Sequence, residues 1–488
     1  MINEHKDNIG KIFIILGVFA LVYMILSPLN NVFIHPDEYF TFGLINYSFQ
    51  DILTTTATDV HPPLYYFILK TVLEAVNLIG LNVSTLFLTK IVSIIPYGLM
   101  LIVSILKLRK DYGWLNSGIF IFSVGVMTDF LVQYSTIRMY TWGMFFLFMA
   151  FIYFGEIITN SDYKNWILFT AFSLLVAYTQ YFIAISVGCI YLCLLFYIIK
   201  FDKKELKMFF ASVTGFIVLY IPWIPFLLRQ ITRVNNSWWI PPVDLGLALN
   251  SSVYYLTSAN FIPLKILAII TTVFIIILAI KRYHEDTSRE NFFILSGIFV
   301  FFATLVLAIL VSVIFKPMLI YRYLIPVSSL IWLSIAILIG KINNEKIFTI
   351  LLIVILIFAV SGAALANSDI GHLEKKGEKW DKMFNKINSG NDTIVIHDGE
   401  VGIYQFQSFL NNTHSYSPHL NTIIGVDNST LHGLYEFEEK SPSELNRIIL
   451  EKNDSNIYYI SAWGSFEVDK SKLHEIGKVG DAHFYKIR

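Results

Sequence analysis

Two short polar runs stand out in a chain that is otherwise mostly hydrocarbon. One is His35-Pro36-Asp37-Glu38-Tyr39, and the other is Asp59-Val60-His61-Pro62-Pro63-Leu64-Tyr65-Tyr66. Together they put three carboxylates and two imidazoles into the first polar loop, residues 30–79. An ionised carboxylate in a partly dry pocket is a competent general base. Asp37 and Glu38 are adjacent, so on a helix they diverge by about 100° and one of them points into a given site. Asp59 and His61 precede Pro62-Pro63, which stiffens the backbone and imposes an extended approach. The bland alternative is a solvated loop in which Asp37 caps a helix starting near Tyr39. Two such runs in one loop favour chemistry. Tyr65 and Tyr66 then open a helix, as aromatic residues commonly do at the headgroup level.

Cations that could serve these acids sit far along the chain. Arg138 lies in Gln133-Tyr134-Ser135-Thr136-Ile137-Arg138-Met139-Tyr140, and Arg322 in Ile320-Tyr321-Arg322-Tyr323-Leu324-Ile325-Pro326. Each is either a snorkelling anchor or an anion ligand, because a planar guanidinium donates two parallel hydrogen bonds to phosphate and stays charged. Two arginines at outer boundaries, against the usual positive-inside bias, favour the ligand role. Trp238 and Trp239, in residues 229–243, are interfacial anchors or the cover of a groove entrance. Gln180 and Tyr181, in residues 177–181, lie at another outer end, where Gln180 bonds a sugar hydroxyl or a neighbouring helix. No metal cage is legible. A single divalent ion near Asp37 and Asp59 stays an open alternative.

The elements that must position these residues are membrane helices. Of 488 residues 55% are hydrophobic and 15% charged, against about 45–50% and about 25% in soluble proteins. Mean hydropathy is +0.61. Formal net charge is zero, so no nucleic-acid footprint is expected. Cys189 and Cys193 fall within one apolar segment and read as small core residues. About eleven segments approach the roughly 20 apolar residues that span a bilayer. The first, residues 12–29, follows Lys6 and Lys11 and reads as a retained anchor with a cytoplasmic N-terminus. Residues 63–79 are read as a surface helix, since Lys70 and Glu74 are costly facing lipid and since the cluster Lys107, Arg109, Lys110 then falls inside. Segments 166–182 and 183–199 abut with almost no loop.

The expected fold is therefore an α-helical polytopic membrane protein with a small α/β domain. Residues 1–366 form the membrane domain, with the first outer loop at 30–84 carrying surface helices. Residues 367–488 form the extracytoplasmic domain, with strands expected at 393–397, 422–426, 457–462 and 483–487 and helical stretches at 402–410 and 443–451. The parity of spans puts the first loop and this domain on one outer face of a plasma membrane.

The ordered series of motifs resembles the GT-C superfamily of membrane glycosyltransferases, in particular the protein O-mannosyltransferase and aminoarabinose transferase group. The residues that carry it are His35-Pro36-Asp37-Glu38, Asp59 to Tyr66, Arg138-Met139-Tyr140, Tyr178-Thr179-Gln180-Tyr181, Trp238-Trp239-Ile240-Pro241-Pro242 and Arg322-Tyr323-Leu324-Ile325-Pro326. The resemblance runs over residues 10–366. It implies a donor with one sugar on polyprenyl phosphate and an acceptor hydroxyl on a protein, lipid or glycan. It implies Asp37 as the base, with Glu38, Asp59 and His61 orienting acceptor or donor, and Arg138 and Arg322 holding the phosphate. Tyr65, Tyr66, Tyr140, Gln180, Tyr181, Trp238 and Trp239 would line the groove. The chain departs from the group at Thr136, where a glutamate is common, and at Gln180, where a histidine is common.

The residues fit that chemistry independently. A sugar phosphate ester already has a good leaving group, so one base and a cationic clamp suffice. In-line attack from the opposite face inverts the anomeric centre. The rival class is a polytopic transporter or flippase for lipid-linked saccharides. Those usually carry mid-membrane charges and repeat symmetry, whereas here the charges cluster at one face and no internal repeat is evident.

Overall fold

The structure is a computed structural model that describes residues 2–30, 36–234, 240–388, 393–397, 420–424, 438–439, 447, 456–461, 470–480 and 482–487. Contacts between residues divide the chain into two units. One holds residues 1–29 and 56–368, and the other residues 30–55 and 369–488. The sequence reading put the whole first loop with the spans; the contacts divide it at Thr55/Thr56.

The helices run α1 (Ile2–Asn30), α2 (Pro36–Leu44), α3 (Phe49–Thr58), α4 (Leu64–Ile79), α5 (Thr85–Val103), α6 (Arg109–Val126), α7 (Phe130–Ser135), α8 (Tyr140–Thr159), α9 (Tyr163–Ala177) and α10 (Tyr181–Phe201). They continue as α11 (Leu206–Tyr220), α12 (Ile224–Val234), α13 (Leu245–Val253), α14 (Ile262–Glu285), α15 (Arg289–Ile314), α16 (Ile325–Gly340) and α17 (Glu345–Asn388). Among the described residues nine helical runs are long and apolar enough to cross a membrane. One of them, Thr85–Val126, is two limbs: the backbone leaves the helix at Gly113, whose φ of 88° a side chain rarely adopts. With the limbs taken separately and the 15-residue apolar α9 added, the runs become the eleven segments expected. α4 is not among them. Its apolar side is buried through Tyr65, Tyr66, Leu69 and Leu73, while Glu74 is exposed.

α16 is the centre of the first unit. It is apolar on every side and buried along almost its whole length, as a helix must be when neighbours surround it. α6, α8 and α15 pack on it. α1 crosses α6 where both backbones are bare: a Cβ on Gly118 would run into the Gly10 carbonyl, and one on Gly10 into the Trp114 backbone. Tyr97 locks that crossing by donating to Gly17 O at 3.1 Å and Ile121 O at 3.0 Å. At the ends expected to face the cytoplasm, Lys107 pairs with Glu156 and Asp111. Lys341 pairs with Glu290 at 2.5 Å, and Lys6 donates to Gly340 O and Ile342 O.

The second unit has a six-stranded sheet of β1 (Thr393–His397), β2 (Leu420–Ile424), β3 (Glu438–Glu439), β4 (Asn456–Ser461), β5 (Leu473–Val479) and β6 (Ala482–Ile487), in the order β3-β2-β1-β4-β6-β5. β3, β2, β1 and β4 are parallel. β6 runs antiparallel to β4 and to β5. Trp380, Phe384 and Ile387 of α17 pack onto Val395, Tyr458, Ile460 and Phe484. The four expected strands correspond to β1, β2, β4 and β6. β5 escaped sequence reading because its exposed edge alternates poorly and is interrupted by a bulge between Glu475 and Gly477. The helical stretches expected at 402–410 and 443–451 lie outside the described residues, apart from residue 447.

Candidate functional site

The candidate site of the first unit is assembled from the breaks between its helices. Asp59, Val60 and His61 form the bend between α3 and α4, and Asp59 N–H donates to Thr56 O at 3.2 Å. Pro62 and Pro63 then bring the chain into α4, whose first N–H, on Leu64, donates to Tyr178 O at 3.2 Å. That bond ties the bend to the break between α9 and α10. The sequence reading placed this break at Phe182/Ile183. In the structure it falls at Tyr178–Gln180, where Gln180 is extended (φ −160°, ψ 134°).

Arg138 lies between α7 and α8, and it meets His61 across 77 residues of sequence: Arg138 Nη2 stands 3.0 Å from His61 Nε2. Both are buried, at 7% and 8% exposure. A guanidinium has donors and no acceptor, so the imidazole must accept at Nε2, and it is then neutral with its proton on Nδ1. The two motifs that carry these residues thus become one buried polar pair.

His61 lines a cavity of about 520 Å³. Gln180, Tyr181, Gln230, Lys316 and Tyr323 are its other polar lining residues, and Phe182, Leu227, Ile231, Val311, Phe315 and Met318 form its apolar walls. Tyr181 is fixed there by Trp223 Nε1, which donates to its hydroxyl at 2.7 Å, and it donates in turn to Gln230 Oε1. Gln230 Nε2 donates to Thr56 O at 2.7 Å, which fastens α12 to the end of α3. Asp59 lies within electrostatic reach of the Tyr181 hydroxyl. A second cavity of about 460 Å³ shares Tyr181 and Leu227 with the first, and its remaining walls, from α9, α10 and α11, are almost wholly apolar.

The other expected residues are distributed as follows. Glu38 is buried on α2. Asp37 takes the second position of that helix, which Pro36 opens; its side chain lies outside the described residues. Arg322 is half-buried in the single turn that precedes α16. Tyr140 is buried behind Tyr323, with ring centroids 6.1 Å apart. Tyr65 and Tyr66 are fully buried, and Tyr65 bonds Ser93 Oγ at 2.9 Å. Neither is among the lining residues of the two cavities, and the Tyr65 bond ties α4 to α5. Trp238 and Trp239 lie outside the described residues. Among the described residues no three His, Cys, Asp or Glu side chains gather as a metal site.

Sequence reasoning missed Gln230, Phe182 and one carboxylate. Asp129 starts α7 next to Thr128, whose φ of 51° is unusual for a branched residue. It accepts from Gln133 Nε2 at 3.0 Å and from the Tyr254 hydroxyl. Burial, and next the Asp129 carboxylate, push the Tyr254 hydroxyl well above the usual phenol range, so it stays a donor. Tyr254 stacks on Tyr321, beside Arg322, with centroids 5.8 Å apart. No spacing announces a partner 125 residues away.

No protein-family model matches the sequence, and no curated protein matches it. Solved structures do. The crystal structure of ArnT from Cupriavidus metallidurans in the apo state matches over 97% of both chains, with a TM-score of 0.61 and 11% identity. That of the same protein bound to undecaprenyl phosphate matches over 97% of both chains, with a TM-score of 0.59 and 10% identity. At such identity the likeness is one of fold. The chain has the GT-C fold that its motif series resembles.

Proposed function

We propose that this protein is a membrane glycosyltransferase that moves one sugar from polyprenyl phosphate to an acceptor hydroxyl of a protein, lipid or glycan on the outer face. The observation that carries the reading is the buried His61–Arg138 pair, whose imidazole lines a largely apolar cavity while the guanidinium stands behind it. A cation held dry beside hydrocarbon walls suits a ligand with a phosphate at one end and a prenyl chain at the other. The second cavity continues the apolar wall through Tyr181 and Leu227. The fold agrees, and one ArnT structure of that fold is bound to undecaprenyl phosphate.

In this reading the carboxylate of Asp37 takes the proton of the acceptor hydroxyl, and Glu38 supports it. The acceptor oxygen bonds to the anomeric carbon from the face opposite the phosphate. The carbon–oxygen bond to phosphate breaks, both electrons go to the phosphate, and polyprenyl phosphate leaves. The sugar is inverted. Arg138 and Arg322 hold the phosphate and stabilise its growing charge, which is where fixed donors contribute most. Asp59 and His61 orient donor or acceptor.

The test is transfer of radiolabelled sugar from polyprenyl phosphate in membranes carrying the full chain. Asp37→Asn keeps size and removes basicity. It should lower turnover by about 10²–10⁴-fold, the usual contribution of a general base, and leave donor binding nearly intact. Full activity of Asp37→Asn would remove it as the base, and an equal loss in Asp59→Asn alone would move the role there.

A further inference from the structure

Gln180 stands at the break between α9 and α10, on the wall of the larger cavity, and is 2% exposed. Its backbone is satisfied: its N–H donates to Val176 O at 3.1 Å, and its carbonyl accepts from Ala184 N at 3.3 Å. Its side chain makes no cap bond to α10. Neither Oε1 nor Nε2 has a hydrogen-bond partner among the described residues. Exchanging the two atoms, which look alike in shape, changes nothing, because both are unmatched. Buried polar groups are nearly always hydrogen-bonded, so a carboxamide unmatched at both atoms calls for an explanation. At a cavity wall a ligand can supply the match, since a few convergent polar groups in an apolar pocket set orientation and specificity.

The chemistry of that ligand follows from the carboxamide. It presents two N–H donors and one acceptor oxygen. A prenyl chain would match neither. A phosphate accepts only and would leave Oε1 unmet; an ammonium gives only and would leave Nε2 unmet. Hydroxyl groups both give and accept. The rings of Phe182 and Tyr323, 5.4 Å apart at their centroids, line the same cavity and offer apolar faces to the C–H side of a sugar ring. We propose that Gln180 recognises neutral hydroxyl groups of the donor's sugar and so decides which polyprenyl-phosphate sugar the protein accepts. This rests on the transferase reading, in which Arg138, bonded to the His61 that lines the same cavity, takes the phosphate and the apolar walls take the chain.

The test compares dissociation constants of the full-length protein in lipid nanodiscs for bare undecaprenyl phosphate and for undecaprenyl phosphate bearing glucose, galactose or mannose. The wild-type protein should hold at least one of the sugar-bearing lipids about 10-fold or more tighter than the bare lipid, the effect of matched hydrogen bonds in a dry site. Gln180→Met, of nearly the same shape, should bring that ratio to within about 2-fold of one while bare-lipid affinity stays within about 2-fold. If that variant does not fold, Gln180→Leu, which removes the donors and the acceptor without adding charge, should lower the ratio likewise. A ratio that survives in the variant, a bare-lipid affinity that falls with it, or a wild-type ratio near one would overturn the assignment. Failure of the wild-type protein to bind undecaprenyl phosphate at all would instead overturn the transferase reading.

Discussion

The His61–Arg138 pair makes the sharpest prediction. The two groups are 3.0 Å apart and each is more than nine-tenths buried. A hydrogen bond with one charged partner in such surroundings contributes about 1.5–3 kcal/mol. His61→Phe keeps a flat ring and removes the acceptor, so one N–H of a buried guanidinium loses the imidazole and the fork is held less firmly. The expected loss in kcat/KM for the lipid donor is roughly 10- to 150-fold. Arg138→Met removes the charge as well and should lose about 2–5 kcal/mol, the range for truncating one member of a buried charged pair. The double variant should then be little worse than Arg138→Met, because the His61 bond to the guanidinium is already gone in that variant. The coupling between the sites should equal the cost of His61→Phe. The assay is sugar transfer in proteoliposomes, with gel filtration to check that each variant is monodisperse. Losses that simply add, to within about 0.5 kcal/mol, would refute the idea that the two residues act as a unit. Arg138→Lys should recover part of the loss, since an ammonium restores charge without the planar fork.

Other parts of the molecule yield separate tests. Gly118→Ala forces a Cβ onto the Gly10 carbonyl and should cost about 1–3 kcal/mol, read as a lower thermal midpoint in detergent; Gly98→Ala, which meets nothing within 4 Å, should leave the midpoint near wild type. Phe484→Ala, at a fully buried position against Trp380 and Phe384, should destabilise the second unit by about 3–5 kcal/mol, seen as faster hydrogen exchange in peptides of β4 and β6. Tyr254→Phe removes the donor to Asp129 and should cost about 1–3 kcal/mol. An unchanged unfolding midpoint in that variant would show that Gln133 and the other contacts of Asp129 already suffice.

Hydropathy and charge determined much of this protein without coordinates. Span length and polarity are local properties, summed over about 20 residues, because the bilayer demands internally satisfied backbone over a fixed thickness. That is why the eleven segments and most strands of the small sheet were legible. The motif runs around Asp59-Val60-His61 and Arg138 were legible too, since polar groups stand out against hydrocarbon. Their relation was not. His61 meets Arg138 across 77 residues, Gln230 meets Thr56 across 174, and Asp129 meets Tyr254 across 125. Such contacts join helix ends and breaks that lie far apart in the chain, and a single sequence carries no periodic trace of that pairing. Tyr65 and Gln180 mark the division. Both read as aromatic or polar residues near an outer membrane end. Packing turned Tyr65 inward to bond Ser93, while the extended break before α10 left the Gln180 side chain at a cavity wall with no protein partner among the described residues. Residue type decided what each could bond, and tertiary structure alone decided whether a neighbour was there to bond it.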